Sequence, residues 1–120
     1  MTEYNGKTIT MNLDNEPFRQ IYSGEKTVEV RLNDERRKSI RVGDTIQFFR
    51  NDNDEEYIVA QVVALHNFPS FQALFSTVKM RRSSGFGNLT ANEAAEKMYR
   101  YYTKEQEQQY GVLGIEIVKE

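Results

Sequence analysis

Gly24, Lys26, Glu29 and Arg31 fall within the short stretch GEKTVEVR, and their types and spacing can do chemistry. Val28, Val30 and Leu32 alternate with Thr27, Glu29 and Arg31. A strand sends successive side chains to opposite faces, so one face is apolar and the other carries a hydroxyl, a carboxylate and a guanidinium in a row. Lys26 stands where that strand begins, just after a turn glycine. An ammonium beside a carboxylate has two uses. Desolvated, with its pKa pushed down, it acts as a base or nucleophile. Glu29 on the same strand pushes the other way, and a fixed positive charge suits a phosphate or a carbonyl oxygen. Arg31 offers planar, two-pronged donors for a phosphate or a base edge, and Glu29 can accept from an exocyclic amine such as that of cytosine. The plainer alternative is a surface ion pair worth at most about 1 kcal/mol.

A second candidate is Arg81-Arg82-Ser83-Ser84-Gly85-Phe86-Gly87, which combines guanidiniums, hydroxyls, backbone freedom and an aromatic ring. Phosphates and stacked bases are met by such groups. Arg81, Arg82, Ser84 and Phe86 therefore join Lys26, Thr27, Glu29 and Arg31 as candidate ligand-binding residues. The segment lacks the G-x-x-x-x-G-K-[ST] spacing of a P-loop. Tyr99, Tyr101, Tyr102 and Tyr110 can stack on a base. Half-buried packing with a wet hydroxyl is their commoner use, and it is our reading of Tyr102. His66 follows a core-like strand and is read as structural.

These residues must be held by neighbouring elements. Residues 7–13 alternate and predict a first strand. Asp14 or Asn15 can cap a helix with Pro17 in its first turn, Phe18, Ile21 and Tyr22 on one face and Gly24 closing it. The Lys26 strand follows at once. Residues 33–39 read as a loop and Val42-Gly43-Asp44 as a turn. Residues 45–49 and 57–65 read as strands joined by an acidic turn. Ser70 can cap a short helix that reaches Val78, and residues 79–89 read as a loop. Thr90-x-x-Glu93 and Thr103-x-x-Gln106 are capping boxes, so a helix starts, bends and restarts before Gly111 ends it. Residues 112–118 alternate as a last strand. About five strands with interspersed short helices argue for an α+β fold, closed as a small, mostly antiparallel β-barrel with helices covering its ends.

At 120 residues we expect one domain, residues 1–120. No apolar run approaches the roughly 18 residues of a membrane span, and the N-terminus lacks a secretory pattern. The chain has no cysteine, which excludes disulfides and thiolate chemistry and fits a reducing cytoplasm. With one histidine and no cysteine we expect no transition-metal site and no cofactor. Net charge is −2, so no global field favours nucleic acid. Basic residues nevertheless gather between Lys26 and Arg41 and again at Lys79, Arg81 and Arg82. Such local patches can meet phosphate on a mildly acidic protein.

Gly24-x-Lys26-x-x-Glu29-x-Arg31, a basic loop and Val42-Gly43-Asp44 leading into a strand resemble the ASCH family, the activating-signal-cointegrator homology domain. The order of elements is similar too. The resemblance implies a PUA-like β-barrel with a cleft lined by Lys26, Glu29 and Arg31 that receives RNA, a nucleotide or a nucleoside. Some relatives remove acyl groups from the exocyclic nitrogen of cytidine, and others have been described as ribonucleases. In the small deacylating relatives, a lysine matching Lys26 works with a threonine three residues later and a distant glutamate. Here Glu29 occupies the threonine's place, Thr27 is off register, and Gly85-Phe86-Gly87 stands where the glutamate would be. Two readings follow. One is a module binding RNA or a nucleotide, taken as a monomer; the other is a hydrolase, an amidohydrolase or ribonuclease, with Lys26 and Glu29 catalytic.

Overall fold

The computed structural model describes residues 3–120; the first two residues of the expected 1–120 domain lie outside the described residues. The chain runs β1 (Thr8–Leu13), α1 (Asn15–Ser23), β2 (Val28–Leu32), β3 (Thr45–Arg50), β4 (Asn53–Phe68), α2 (Phe71–Ser76), α3 (Val78–Ser83), α4 (Ala91–Met98), α5 (Lys104–Tyr110) and β5 (Val112–Lys119). This is the α+β mixture that the pattern predicts.

The five strands form one curled sheet in the order β1-β3-β4-β5-β2. Only β1 and β3 pair in parallel; the other neighbours are antiparallel. The long strand β4 serves two partners, meeting β3 through residues such as Ile58 and Ala60 and β5 through the stretch that ends at Phe68. Its register slips between Val62 and Ala64, and a slip of this kind bends a strand and tightens its twist. The sheet therefore curls into a half-barrel, and its edge strands β1 and β2 face each other across an unpaired seam.

Alternation then fills two cores. Met11, Leu13, Ile46, Phe48, Ile58, Ala60, Val62, Leu113, Ile115 and Ile117 point into the curl, where Phe18 and Ile21 of α1 plug one end. Val28, Val30, Leu32 and Val112 point to the outer side and pack under Phe71, Leu74, Phe75, Ala94, Ala95 and Met98 of the helices. So both faces of β2 are covered. Its apolar face meets the helices, and its polar face looks into the mouth of the half-barrel, since Glu29 pairs with Ile115 and Arg31 with Leu113.

Three local expectations need correction. The acidic turn is narrower than expected, because Asp54, Glu55 and Glu56 continue β4 as a solvent-exposed hairpin arm. A loop over residues 79–89 is only half right: Val78–Ser83 is a helical turn and a half, separated from α2 by Thr77, whose backbone is extended. Only Met80 of that helix is buried, so it has no apolar period to read. Within residues 33–39, Arg37–Ser39 wind into a 3-10 turn. Both capping boxes are present, with Thr90 and Glu93 exchanging hydrogen bonds at α4 and Thr103 and Gln106 doing so at α5.

Candidate functional site

The end of α1 delivers the site. Gly24 takes a left-handed φ of 88° and its N–H closes onto the Ile21 carbonyl, a turn that side chains with a Cβ resist. The Lys26 N–H then donates to the Gln20 carbonyl at 3.0 Å, and the Thr27 N–H to the Ser83 carbonyl at 2.8 Å. Lys26 is thus fixed at the mouth of the curl before β2 begins.

Lys26 and Glu29 are buried, at 7% and 4% exposure. Lys26 Nζ lies 2.9 Å from Glu29 Oε1, and Arg31 Nε donates to Glu29 Oε2 at 2.6 Å. Arg31 Nη2 also donates to the Asn12 carbonyl at 2.9 Å, bridging the seam from β2 to β1. Burial pushes the Glu29 carboxyl up, but the charges and hydrogen bonds of Lys26 and Arg31 more than reverse this and hold it at about 2. Burial likewise works against the Arg31 cation, and Glu29 outweighs it, so the guanidinium's pKa is raised. The three groups form one row, cation, anion, cation, with a net charge of +1.

Above this row opens a cleft of about 330 Å³, within the usual range of small-molecule sites, roughly 300–1,000 Å³. Leu13, Pro17, Val30, Phe86 and Met98 give it apolar walls, and Asn12 and Gln20 supply amides. Tyr101 and Arg100 stand on its rim with Lys97. The Tyr101 hydroxyl donates to Asp14 Oδ2, and Asn51 Nδ2 donates to Asp14 Oδ1 at 2.8 Å. Asp14 occupies the N-cap position of α1 without capping it; its carboxylate ties three segments of the rim together instead. Among the described residues, no acidic side chain forms an ion pair with Lys97 or Arg100.

Of the candidate residues, Lys26, Glu29, Arg31 and Phe86 come together in this cleft. Thr27 does not: it is exposed, and its carbonyl accepts from the Ile117 N–H. Arg81 Nη1 donates inward to the Phe75 carbonyl at 2.8 Å, Ser84 is buried with its hydroxyl on the Arg81 carbonyl, and Arg82 is exposed outside the cleft lining. The helical turn of α3 is the cause, since it turns those groups onto their own backbone. Tyr102 stacks on Phe71 at 5.9 Å, the packing role expected, and Tyr99 meets the same ring edge-on. His66 Nε2 sits 3.0 Å from Glu116 Oε1, away from the cleft. Asn12, Gln20, Lys97 and Arg100 were not singled out from sequence, whereas Tyr101 was among the tyrosines read as able to stack on a base. Lys97 with Arg100 and Tyr101 has the i, i+3, i+4 spacing of one helix side, which was the available signal.

No serine, threonine or histidine is among the described residues lining the cleft. Among the described residues no group of three potential metal ligands occurs, and no helix is long and apolar enough to cross a membrane.

A family model of the ASCH domain matches residues 11–120. Hypothetical protein PH0355 is similar over 95% of this chain and 99% of its own, with 28% identity and a TM-score of 0.82. Protein PF0455 from Pyrococcus furiosus is 28% identical over 93% of this chain and 96% of its own, with a TM-score of 0.72. The ASCH domain from Lactobacillus crispatus, 13% identical, shares the fold over 97% of this chain and 80% of its own at a TM-score of 0.70. No curated protein matches the chain.

Proposed function

The chain belongs to the ASCH domain family and has its PUA-like fold, and from that premise we propose that its cleft binds a nucleotide, free or within RNA. One observation carries the reading. Lys26 is an almost fully buried ammonium whose one ion-pair partner among the described residues is Glu29, and it lies on the floor of an open cleft. A buried cation with donors to spare is costly unless something polar meets it. Each Glu29 oxygen also has lone-pair capacity beyond its single partner. The floor thus alternates donor, acceptor and donor. A base edge that sets carbonyl oxygens beside an N–H or an amine complements that row. The apolar walls suit the faces of a heteroaromatic ring, and Lys97 and Arg100 on the rim suit its phosphate.

The hydrolase reading has less support. A hydroxyl nucleophile is missing from the described lining apart from the tyrosines, and Glu29 engages Lys26 directly.

Isothermal titration of nucleosides and their 5′-monophosphates tests the proposal. We expect the monophosphates to bind more tightly than the nucleosides, and Lys26→Met to weaken both by about tenfold or more, the value of one lost charge-assisted hydrogen bond. Failure of all these compounds, and of short single-stranded RNAs, to bind at millimolar concentration would refute it.

A further inference from the structure

Behind Arg31, across the seam from the first cleft, lies a second pocket of about 270 Å³. One wall is the outer edge of β1 from Ile9 to Asn12; the other holds Arg31, Arg36 and Arg37. No carboxylate is among its described lining residues. Arg37 pairs with Asp34 at 2.8 Å and Arg31 with Glu29, but Arg36 is exposed and forms no ion pair among the described residues. One guanidinium without an ion-pair partner among the described residues, beside two whose planar forks keep N–H donors beyond their carboxylate contacts, favours an anion here.

The backbone adds donors. β1 pairs on one side only, with β3. The carbonyls of Lys7 and Leu13 accept from the N–H groups of Thr45 and Asn51, so odd-numbered residues turn their peptide groups toward β3. In a parallel ladder the alternate residues turn theirs the other way. The Asn12 carbonyl does so and meets Arg31. The N–H groups of Thr10 and Asn12 therefore face the open edge beside the arginines. Unpaired backbone N–H groups next to guanidiniums are the donors that phosphate contacts use.

We propose that this second pocket is a phosphate subsite, taking the phosphodiester next to the nucleotide held in the first cleft. Arg31 lines both pockets, and no strand pairing closes the seam between them. The ligand is then a single strand laid across the seam, with one base over the Lys26-Glu29-Arg31 row and an adjoining phosphate beside Arg36. This inference rests on the cleft reading above and goes beyond it by naming the strand.

The test titrates inorganic phosphate, the four nucleoside 5′-monophosphates and the matching single-stranded tetraribonucleotides against the wild-type protein and Arg36→Glu. Arg36 is exposed and unpaired, so melting and circular dichroism of the variant should match the wild type. We expect the best tetranucleotide to bind about tenfold more tightly than its mononucleotide, a gain of the size of one charge-assisted contact. Arg36→Glu should remove most of that gain and weaken mononucleotides much less. The slope of log affinity against log salt for the tetranucleotide should fall by about 0.7, the value for one phosphate contact to a single strand. Tetranucleotides no tighter than mononucleotides, or equal losses for both in Arg36→Glu, would overturn the subsite and leave the cleft reading standing. Inorganic phosphate binding as tightly as the tetranucleotide, and dependent on Arg36, would make the pocket a free-anion site and overturn the strand. If neither mononucleotides nor tetranucleotides bind, both readings fall.

Discussion

Glu29 is the one anion between two cations, and its removal leaves the buried Lys26 and the half-buried Arg31 without a countercharge. Breaking a buried pair from one side typically costs about 3–5 kcal/mol, so Glu29→Gln should lower the unfolding free energy by an amount of that order in a urea titration. Lys26→Met should cost less, because Glu29 keeps Arg31. Acid should act through the same carboxylate. Glu29 is held at about 2, below its ordinary 4.5, and Asp44, bonded to Lys7, Tyr4 and the Arg41 N–H, at about 2, below 3.8. Both are depressed on folding, so their contribution is complete above about pH 5 and is lost as pH falls from there toward 2. Thermal melts across that window should show a steep loss in the wild type and a shallower one in Glu29→Gln, which retains only the Asp44 share. The K-x-x-E-x-R spacing was legible in the sequence. That its polar face looks into the barrel mouth was not, because alternation separates two faces without saying which one meets solvent. Here helices cover the apolar face and the curl of the sheet covers the other.

The cleft's upper wall depends on the α4–α5 corner, which carries Lys97, Arg100, Tyr101 and Tyr102. Two buried acceptances fix that corner: Glu107 Oε2 takes the Phe71 N–H at 2.6 Å and Oε1 takes the Tyr99 hydroxyl at 2.7 Å. The Thr103 capping box sets where α5 begins, with the N-cap directly after Tyr102. Thr103→Ala should cost about 1 kcal/mol of stability, as loss of an N-cap does. It should also weaken monophosphate binding, because the corner that presents Arg100 and Tyr101 loosens. Unchanged affinity alongside the stability loss would show that the corner is held by Glu107 alone. Capping boxes made these two helices legible. In contrast, α3 buries one side chain and spans six residues, too few for a helical period to show, so its arginines looked free when their backbone was already wound. The pairing of β1 with β3 was equally hidden, since a parallel contact between strands far apart in sequence leaves no local signal.

The molecule as a whole carries a net charge of −2, which would repel a polyanion if the field were uniform. Binding must then depend on where the charges sit. Lys97 and Arg36 stand at the two pockets beside the seam with no ion pair among the described residues, whereas acidic residues such as Asp54, Glu55 and Glu56 extend along the exposed arm of β4. Asp14 and Glu16 also line the cleft, but Asp14 is held by Tyr101 and Asn51 and Glu16 by Arg19; field lines from a concave, low-dielectric wall are focused, so Lys97 and Arg100 on the rim can outweigh a distant acidic arm. Beyond a Debye length, about 8 Å at physiological salt, exposed charges hardly act on the ligand at all. Two substitutions separate the local account from the global one. Lys97→Gln and Lys119→Gln change the net charge equally, but Lys97 is on the cleft rim and Lys119 lies over the Tyr22 ring at the end of β5. Lys97→Gln should reduce the salt slope of tetranucleotide binding by about 0.7, and Lys119→Gln should leave it within error of the wild type. Equal effects from both would mean that the overall charge, rather than the seam between β1 and β2, sets the attraction. The open half-barrel would then be only a scaffold for whatever else the cleft holds.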